Sequence, residues 1–547
     1  MDKKNKLRII PLGGLGEVGK NMMAYEYSGK ILVIDAGIMF PENDMLGVNY
    51  IIPDYHYLID NAEKVCGIVL THGHEDHIGA IRHLLNDLKV PVYATPLTMG
   101  LIEVKLARNG QSAKADLRTV QAGDTEKIGP FTIEFFHVSH SVPDSVGLGI
   151  STPVGLLVHT GDYKFDHTPV DNWPTDFAKL AEFSQRGVTI LLADSTNSER
   201  PGWTPSERVI EPAFDEVFQT APGRVIIATF ASLISRMQQV ANAAIRHNRK
   251  MAFVGTSMVD NAKIALKMRY INIPETTLIS LDEALNLSSK EVVLMCTGTQ
   301  GEPSSIIGRL STGENRQFDI KKDDTVVLSS HPIPGNEEAI SKTINRLLRR
   351  GANVIHDGIL PVHVSGHASQ EEQKLLFNLI KPKFFIPIHG ELRMLKRHSD
   401  LARQVGIPEE NIAVVENGQV IELSDGKLTL GERIPGNYIF VEGSSIGDVD
   451  REIMREREKL ARSGILLIDI SVDKYSSRLV HEPEIITRGF LSTEDFQRIS
   501  PFIRQRVRDI VDTSGIDDDK VIADSVRSFL YQETKRRPMV FVTLSRV

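Results

Sequence analysis

The heptapeptide Thr71-His72-Gly73-His74-Glu75-Asp76-His77 contains five side chains that can bind a metal ion or accept a proton. It follows the apolar run at residues 65–70, which predicts a buried strand that holds these side chains at its carboxyl end. In an extended chain His72 and His74 point to the same side, whereas Asp76 and His77 lie beyond a turn and can face a second ion. The spacing therefore favours two adjacent metal ions over one ion, or over a polar loop that binds none.

The composition is that of a globular protein, with 41% hydrophobic and 24% charged residues and no low-complexity tract. A chain of 547 residues is too long for one hydrophobic core and predicts roughly three or four domains. The two cysteines, Cys66 and Cys296, lie in apolar runs, which argues against a disulfide framework and suits a reducing compartment. Because no signal peptide and no apolar run of about 18 residues is present, we expect a cytoplasmic protein without a membrane partner.

The net charge of −8 and the isoelectric point near 6.1 argue against a protein that coats nucleic acid through a wholly basic surface. A nucleic-acid enzyme is compatible with these values, because it needs lysine and arginine only in a local groove. Bound divalent cations would add positive charge at the place where phosphates lie.

A glycine-rich stretch near the N-terminus contains the pattern G-x-G-x-x-G at Gly14, Gly16 and Gly19. A dinucleotide-binding motif requires a helix directly after this pattern. Residues 22–27 and 30–34 instead predict two strands of a hairpin, which disfavours the dinucleotide interpretation. Asp35 ends the second of these strands, where its carboxylate can orient a neighbouring ligand histidine or merely occupy a turn.

Two further polar clusters also follow predicted strands. Residues 137–145 come after the strand at 131–136, and residues 159–166 come after the strand at 155–158. Helical spacing at residues 78–88 between strands indicates an α/β chain. The candidate metal ligands are His140 in the first cluster and Asp162 in the second. Because polar residues at strand ends are common, each cluster alone is a weak indication of metal binding.

Together, His72, His74, Asp76, His77, His140 and Asp162 resemble the ligand pattern of the metallo-β-lactamase superfamily. This resemblance implies an αββα sandwich with a two-metal site at one edge. The last ligand of the superfamily is a histidine after a strand, and His389 has this position. The long chain between Asp162 and His389 has its own α/β pattern and predicts an inserted domain.

The insertion resembles that of the β-CASP nucleases, whose three additional motifs match Asp194, His367 and His389. Within that group the chain resembles the ribonuclease J family over essentially its whole length. We expect a metallo-β-lactamase domain at 1–206 and 359–431, an inserted β-CASP α/β domain at 207–358, a linker at 432–462 and a small α+β C-terminal domain at 463–547.

The resemblance also implies roles for individual residues. One divalent ion, zinc or manganese, would be held by His72, His74 and His140; the other by Asp76, His77 and His389; and Asp162 would bridge them. Asp194 and His367 would form a catalytic pair opposite the ions. A pocket for the RNA 5′ phosphate would be formed by two segments, namely Ser232, Leu233 and Ile234 together with His363, Val364, Ser365, Gly366 and His367.

The expected activity is 5′-to-3′ exonucleolytic and endonucleolytic cleavage of single-stranded RNA in maturation, including ribosomal RNA processing, and in decay. We expect a homodimer or homotetramer, alone or with a paralogous subunit. Three alternatives stay open: a thioester or lactone hydrolase, which would need no second α/β domain; a β-CASP nuclease that processes DNA; and a non-catalytic RNA-binding subunit, which would be expected to have lost ligands.

Overall fold

The computed structural model describes residues 6–42, 45–108, 115–443, 445–513 and 518–547. The chain divides into two compact units. Unit 1 comprises Met1–Phe40 and Tyr50–Ile439, and unit 2 comprises Pro41–Asn49 and Phe440–Val547.

Strands are numbered in chain order through both units. They are β1 (Lys6–Gly13), β2 (Leu15–Gly16), β3 (Met22–Tyr27), β4 (Lys30–Ile34), β5 (Tyr50–Pro53), β6 (Val65–Val69), β7 (Val92–Ala94), β8 (Leu117–Thr119), β9 (Thr125–Ile128), β10 (Phe131–His137), β11 (Val146–Thr152), β12 (Gly155–His159), β13 (Val188–Asp194), β14 (Val225–Ala228), β15 (Lys250–Phe253), β16 (Val292–Cys296), β17 (Thr325–Leu328), β18 (Asn353–His356), β19 (Phe384–Ile388), β20 (Gly390–Glu391), β21 (Gln419–Ser424), β22 (Lys427–Arg433), β23 (Tyr438–Glu442), β24 (Ser445–Ile446), β25 (Ile465–Val472), β26 (Glu484–Arg488) and β27 (Met539–Arg546).

The α-helices are numbered in the same way. They are α1 (His56–Asp60), α2 (Glu75–Ile78), α3 (Ile81–Asp87), α4 (Pro96–Arg108), α5 (Phe177–Arg186), α6 (Ile210–Thr220), α7 (Ile234–Arg246), α8 (Thr256–Lys267), α9 (Leu281–Asn286), α10 (Ile306–Thr312), α11 (Glu337–Arg349), α12 (Gln370–Ile380), α13 (Leu392–Gln404), α14 (Arg451–Ser463), α15 (Thr493–Arg508) and α16 (Asp519–Thr534).

Two sheets of unit 1 pack face to face around a shared apolar core. One sheet has the strand order β22-β21-β1-β3-β4-β6-β7-β8 and the other β19-β13-β12-β11-β10-β9. Successive side chains of a strand point to opposite faces of its sheet. Phe135 therefore lies in the core between the sheets, and Phe136 lies on the outer face of the second sheet.

Helices cover the outer faces of both sheets. On the second sheet, Phe385 of β19 packs against Phe377 of α12 with ring centroids 4.7 Å apart, and α5 and α13 complete this layer. On the first sheet, α4 contacts β7 and β8. Each aromatic or aliphatic side chain buried in this way stabilises the fold by about 1.5–3 kcal/mol. The four layers form the expected αββα sandwich.

The hairpin predicted after the glycine-rich stretch is confirmed, because β3 and β4 pair antiparallel. The glycine-rich stretch itself contains β2, which pairs in parallel with β20 and brings Leu15 opposite Gly390. The N-terminal loop is thereby attached next to His389, one of the predicted ligands. This pairing explains the position of the stretch without a bound dinucleotide.

The chain between α6 and β18 forms a parallel sheet of its own, in the order β15-β16-β14-β17-β18. Its three central strands, β16, β14 and β17, are short runs buried on both faces, as is usual where helices cover a parallel sheet. Arg224 and Asp324, which directly precede β14 and β17, form a buried ion pair with a 3.0 Å hydrogen bond from Nε to Oδ1. This pair joins the starts of two adjacent strands.

In unit 2 the sheet β26-β25-β27 has its core against α15 and α16. β25 and β27 pair in parallel along their whole lengths. The segment 432–462, expected as a linker, contains β23, β24 and most of α14 within its described residues. Asp450 begins α14 as an N-cap, its carboxylate accepting hydrogen bonds from two backbone N–H groups.

Candidate metal centre

The predicted ligands are delivered by strand ends and one short helix at one edge of the sandwich. β6 leads into His72 and His74, and α2 carries Asp76 and His77. β10, β12 and β19 end shortly before the other three ligands, His140, Asp162 and His389. Because β12, β13 and β19 are adjacent and parallel, their carboxyl ends lie at the same edge of the sheet.

The first ligand cluster contains His72, His74, His140 and Asp162, whose donor atoms lie within 4.8 Å of one another. His74 Nδ1 lies 3.2 Å from His72 Nε2 and 3.1 Å from His140 Nε2. Asp162 Oδ2 lies 3.5 Å from His72 Nε2 and 3.8 Å from His140 Nε2. Three imidazole nitrogens and a carboxylate oxygen thus face one point, which is the donor set that zinc and similar ions prefer.

The second cluster contains Asp76, His77, Asp162 and His389. Asp76 Oδ2 lies 3.4 Å from His389 Nε2 and 3.6 Å from His77 Nε2. Asp162 Oδ2 lies 3.2 Å from His77 Nε2. The same oxygen of Asp162 therefore lies close to histidines of both clusters.

The unpaired polar atoms of the site fit a bound cation. Asp162 Oδ2 and His389 Nε2 are buried without a hydrogen-bond partner among the described residues. Leaving such atoms unpaired costs roughly 1–3 kcal/mol each, and more for a charged group. A divalent ion would satisfy both atoms at once.

The pKa values of the histidines differ between the two clusters. Burial lowers the pKa of His74 to about 4, so this imidazole is neutral at physiological pH and can act as a metal ligand. Burial would also lower the pKa of His389, but Asp162 and Asp76 raise it to about 10. Burial would raise the pKa of Asp162, and His389 and His77 hold it well below its ordinary value. The carboxylates thus remain ionised in the interior.

Several contacts orient the ligand rings. Asp35 Oδ2 accepts a hydrogen bond from His77 Nδ1 at 2.7 Å, which confirms the contact predicted for this carboxylate. Thr71 donates to Asp35 through its backbone N–H at 2.8 Å and through its hydroxyl. His140 Nδ1 donates to the carbonyl of Gly366 at 2.8 Å. Such contacts leave the other ring nitrogen free for a metal.

Two glycines permit these close approaches. A Cβ on Gly37 would lie 1.6 Å from the carbonyl oxygen of Asp76, and a Cβ on Gly366 would lie 2.6 Å from the ring of His140. Neither position has room for a side chain. The backbone beside each cluster therefore depends on glycine.

The predicted catalytic pair is also brought together. His367 Nδ1 donates to Asp194 Oδ2 at 2.7 Å, although the two residues are 173 positions apart in the chain. Thr196 donates to Asp194 Oδ1 through its backbone N–H and its hydroxyl. The His367 side chain is 20% exposed and its ring lies next to those of His140 and His389. The pair therefore lies directly beside both clusters.

The segments predicted to bind substrate are joined through Arg236. Ser232, Leu233 and Ile234 form the start of α7, and Arg236 in its first turn donates to the carbonyl of Val362, next to His363, at 2.9 Å. Ser365 accepts a hydrogen bond from Asn197 at 2.8 Å. His363 Nδ1 is buried without a described partner. Val364 and Gly366 contribute backbone in the same segment.

Sequence reasoning missed Asn21 as a residue of the site. Its Nδ2 lies 3.1 Å from His77 Nε2 and donates to the carbonyl of Asp76 at 3.2 Å. Asn21 ends the glycine-rich stretch, and this position was the available signal. The stretch holds the second cluster in place from the N-terminal side.

No helix among the described residues is long and apolar enough to cross a membrane.

Four family models match the chain. They are "Metallo-beta-lactamase superfamily" at residues 15–195, "Ribonuclease J, beta-CASP domain" at 222–347, "Zn-dependent metallo-hydrolase RNA specificity domain" at 353–414 and "Ribonuclease J C-terminal domain" at 452–547. They confirm the metallo-β-lactamase fold with an inserted β-CASP domain and a C-terminal domain.

Curated relatives match over nearly the whole chain. Ribonuclease J2 of Bacillus subtilis is 41% identical, with 100% of both chains covered. Ribonuclease J 1 of Streptococcus pyogenes is 40% identical, with 98% of this chain and 97% of the relative covered. Ribonuclease J of Synechocystis is 41% identical, with 98% of this chain and 86% of the relative covered.

Among solved structures, a protein of unknown function from Enterococcus faecalis has a TM-score of 0.54 at 15% identity, covering 76% of this chain and 100% of that chain. At this identity the likeness shows the fold alone.

The family models, the relatives and the His/Asp clusters all agree on a hydrolase that binds divalent metal and RNA. The chain belongs to the ribonuclease J family of metallo-β-lactamase-type ribonucleases.

Proposed function

We propose that the chain hydrolyses RNA phosphodiester bonds with two divalent ions, zinc or manganese. His72, His74 and His140 would hold one ion, Asp76, His77 and His389 would hold the other, and Asp162 would contribute to both. The observation that carries the proposal is the convergence of these seven side chains into two clusters that share one carboxylate oxygen. Bound divalent ions neutralise the charge that develops on phosphate oxygens and make water a better nucleophile.

His367 supplies the proton for the departing 3′ oxygen. Burial would lower the pKa of His367, but the carboxylates of Asp194 and Asp162 outweigh burial and raise it above its ordinary value. The ring is therefore more often protonated near neutral pH than a free histidine. Asp194 accepts a hydrogen bond from Nδ1 of His367, which leaves the other ring nitrogen, Nε2, available to the substrate. General acids of this kind typically accelerate reactions by about 10²–10⁴-fold.

The RNA 5′ monophosphate binds between the start of α7 and residues 363–367. Ser232, a buried polar residue just before this helix, would contribute its hydroxyl group to the pocket. Arg236 fastens the two segments together and is itself paired with Glu207. This pocket makes the enzyme a 5′-to-3′ exonuclease that releases mononucleotides, with endonucleolytic cleavage as its second activity.

Unit 2 associates with a second copy of the chain, giving a homodimer or homotetramer or an assembly with a paralogous subunit. Leu467 of β25 lies opposite Ile486 of β26 and Phe541 of β27. Ile486 is 41% exposed and Phe541 is 44% exposed, whereas their neighbours Ile485 and Val540 lie in the core. An exposed apolar row across a sheet is typical of a protein–protein interface.

The ligand assignment predicts that Asp76→Asn abolishes RNA cleavage. The variant loses a charged ligand where phosphate charge develops, and we expect a loss of at least about 10³-fold in kcat/KM, equivalent to several kcal/mol. Adjacent Glu75, which pairs with Lys105 on the surface, offers the matched control Glu75→Gln, expected near wild type. Near-normal cleavage by a folded Asp76→Asn variant in excess manganese would refute the two-ion site.

The proton-donor role of His367 predicts a leaving-group effect. His367→Gln should slow cleavage of ordinary RNA by about 10²-fold or more, because the 3′ oxygen departs without a proton. RNA with sulfur in place of the bridging 3′ oxygen needs no proton, so the variant should cleave it at close to the wild-type rate. Equal losses on both substrates, measured in single-turnover assays, would exclude the proton-donor role.

The proposed pocket predicts that RNA with a 5′ monophosphate is degraded faster than RNA with a 5′ triphosphate. A closed pocket accepts one phosphate and excludes the two further phosphates of a triphosphate, so 5′-monophosphate RNA should be degraded fastest. One RNA with either 5′ end, labelled at each terminus in turn, distinguishes the cases. Equal rates, or mononucleotides released first from the 3′ label, would leave only a metal-dependent endonuclease, and a parallel digest of single-stranded DNA tests the substrate class.

The assembly proposal predicts that Ile486→Glu/Phe541→Glu converts the oligomer to a smaller species, because two buried charges oppose burial of the apolar row. Deletion of residues 448–547 should have the same effect. Light scattering measures the mass, and Tyr475→Glu, at a side chain 91% exposed in the same unit, is the control. A mass unchanged by both the double substitution and the deletion would contradict the interface.

A further inference from the structure

In the inserted parallel sheet, the direction in which the chain moves from strand to strand changes between the adjacent strands β14 and β17. After β14 the chain continues to β15 at one edge of the sheet. After β17, which lies on the other side of β14, it continues to β18 at the opposite edge. The connections after β14 and β17 therefore run in opposite directions, which is the arrangement that produces a crevice at the carboxyl ends of such strands. Ligands of open parallel sheets bind at such a point.

His331 lies in the loop after β17, at this crevice. Gln300 holds the loop in place: its Nε2 donates to the carbonyl of His331 at 2.9 Å, and its Oε1 accepts from the N–H of Ile333 at 2.8 Å. The His331 ring contacts the ring of His363 edge to face, with centroids 4.7 Å apart. His331 thus borders the segment proposed to bind the 5′ phosphate.

Asp357, directly after β18, orients the His331 ring. His331 Nδ1 donates a hydrogen bond to Asp357 Oδ2. Nε2, on the opposite edge of the ring, makes no hydrogen bond to any described residue. A carboxylate on Nδ1 with a free Nε2 is the arrangement that also orients His367 through Asp194.

Two buried cations near His363, Arg236 and Lys164, are already committed to internal contacts. Arg236 donates to Glu207, Gln239, Ser329 and the carbonyl of Val362. Lys164 is buried, donates to the carbonyl of Pro205 at 3.1 Å and lies 3.6 Å from Asp166. Burial and the charge of Arg236 lower the pKa of His363 well below its ordinary value, so that ring is neutral. His331 is the partly exposed imidazole beside it with a free nitrogen.

We propose that His331, oriented by Asp357, is a further phosphate-binding residue that distinguishes a 5′ phosphate from a 5′ hydroxyl. The inference rests on the proposed function, because it adds a residue to the same pocket. A ring protonated on both nitrogens donates from Nε2 to a phosphate oxygen while Asp357 balances its charge on the other side. A 5′ hydroxyl has no anionic oxygen to accept this hydrogen bond.

The test compares His331→Gln with His356→Gln in the full-length chain. His356 is the matched control, because its Nδ1 also lies near Asp357, at 3.8 Å from Oδ1, and it has no contact with the His363 ring. For His331→Gln we expect KM on 5′-monophosphate RNA to rise about 10-fold, as for loss of one charge-assisted hydrogen bond. Cleavage of 5′-hydroxyl RNA should stay unchanged, and Asp357→Asn should give a smaller rise in KM.

Three outcomes would overturn the inference. Wild-type preference for the 5′ monophosphate in a folded His331→Gln variant would show that His331 does not bind the phosphate. Equal losses on 5′-monophosphate and 5′-hydroxyl RNA would assign His331 a structural role only. If the wild type itself shows no preference, the pocket and this inference fail together, whereas in the first two outcomes the pocket stands.

Discussion

The carboxylate of Asp162 is the interaction on which the site depends. Its Oδ2 is buried, accepts no hydrogen bond from the described residues and faces imidazoles of both clusters. An isolated ionised carboxylate in the interior is unfavourable by many kcal/mol. The surrounding histidines and a bound cation are what make this position tolerable. The sheet edge therefore has to hold every ligand close to Asp162.

The parallel strands β12, β13 and β19 meet this requirement. Asp194 ends β13, whose register sets it opposite Ile388, the residue before His389. Strand pairing thus places Asp162, Asp194 and His389 side by side, although about two hundred residues of chain lie between the second and third. The insertion leaves the sandwich after β13 and returns before β19, so it adds a second sheet without disturbing the edge that carries the ligands.

The protein is acidic overall, although its proposed substrate is an anion. The chain has a net charge of −8, and its buried cations Arg236 and Lys164 each face a carboxylate, Glu207 and Asp166. In the proposed function, divalent ions and imidazoles with an uncommitted nitrogen attract the phosphate. The Asp–His pairs beside the metal centre and at the crevice of the inserted sheet use the same arrangement of charges.

Sequence patterns alone predicted the α/β class and the insertion, and together with the family resemblance they predicted the seven ligands. His72, His74, Asp76 and His77 lie within one short segment, and His140, Asp162 and His389 each follow an apolar strand, so local patterns together with the family resemblance predicted them as ligands. The hairpin after the glycine-rich stretch was predictable for the same reason. Strand periodicity and turn residues act over a few positions, and that is the range a single sequence reports.

Which distant side chains touch depends on the packing of the whole chain. The hydrogen bonds of His367 to Asp194 and of His140 to Gly366, and the contact of His331 with His363, join residues far apart in the chain or on different strand ends. Asn21 reaches His77 because β2 pairs with β20 and β3 pairs with β4. Such contacts follow from strand order and register, which depend on packing of the whole core, and no local pattern encodes them.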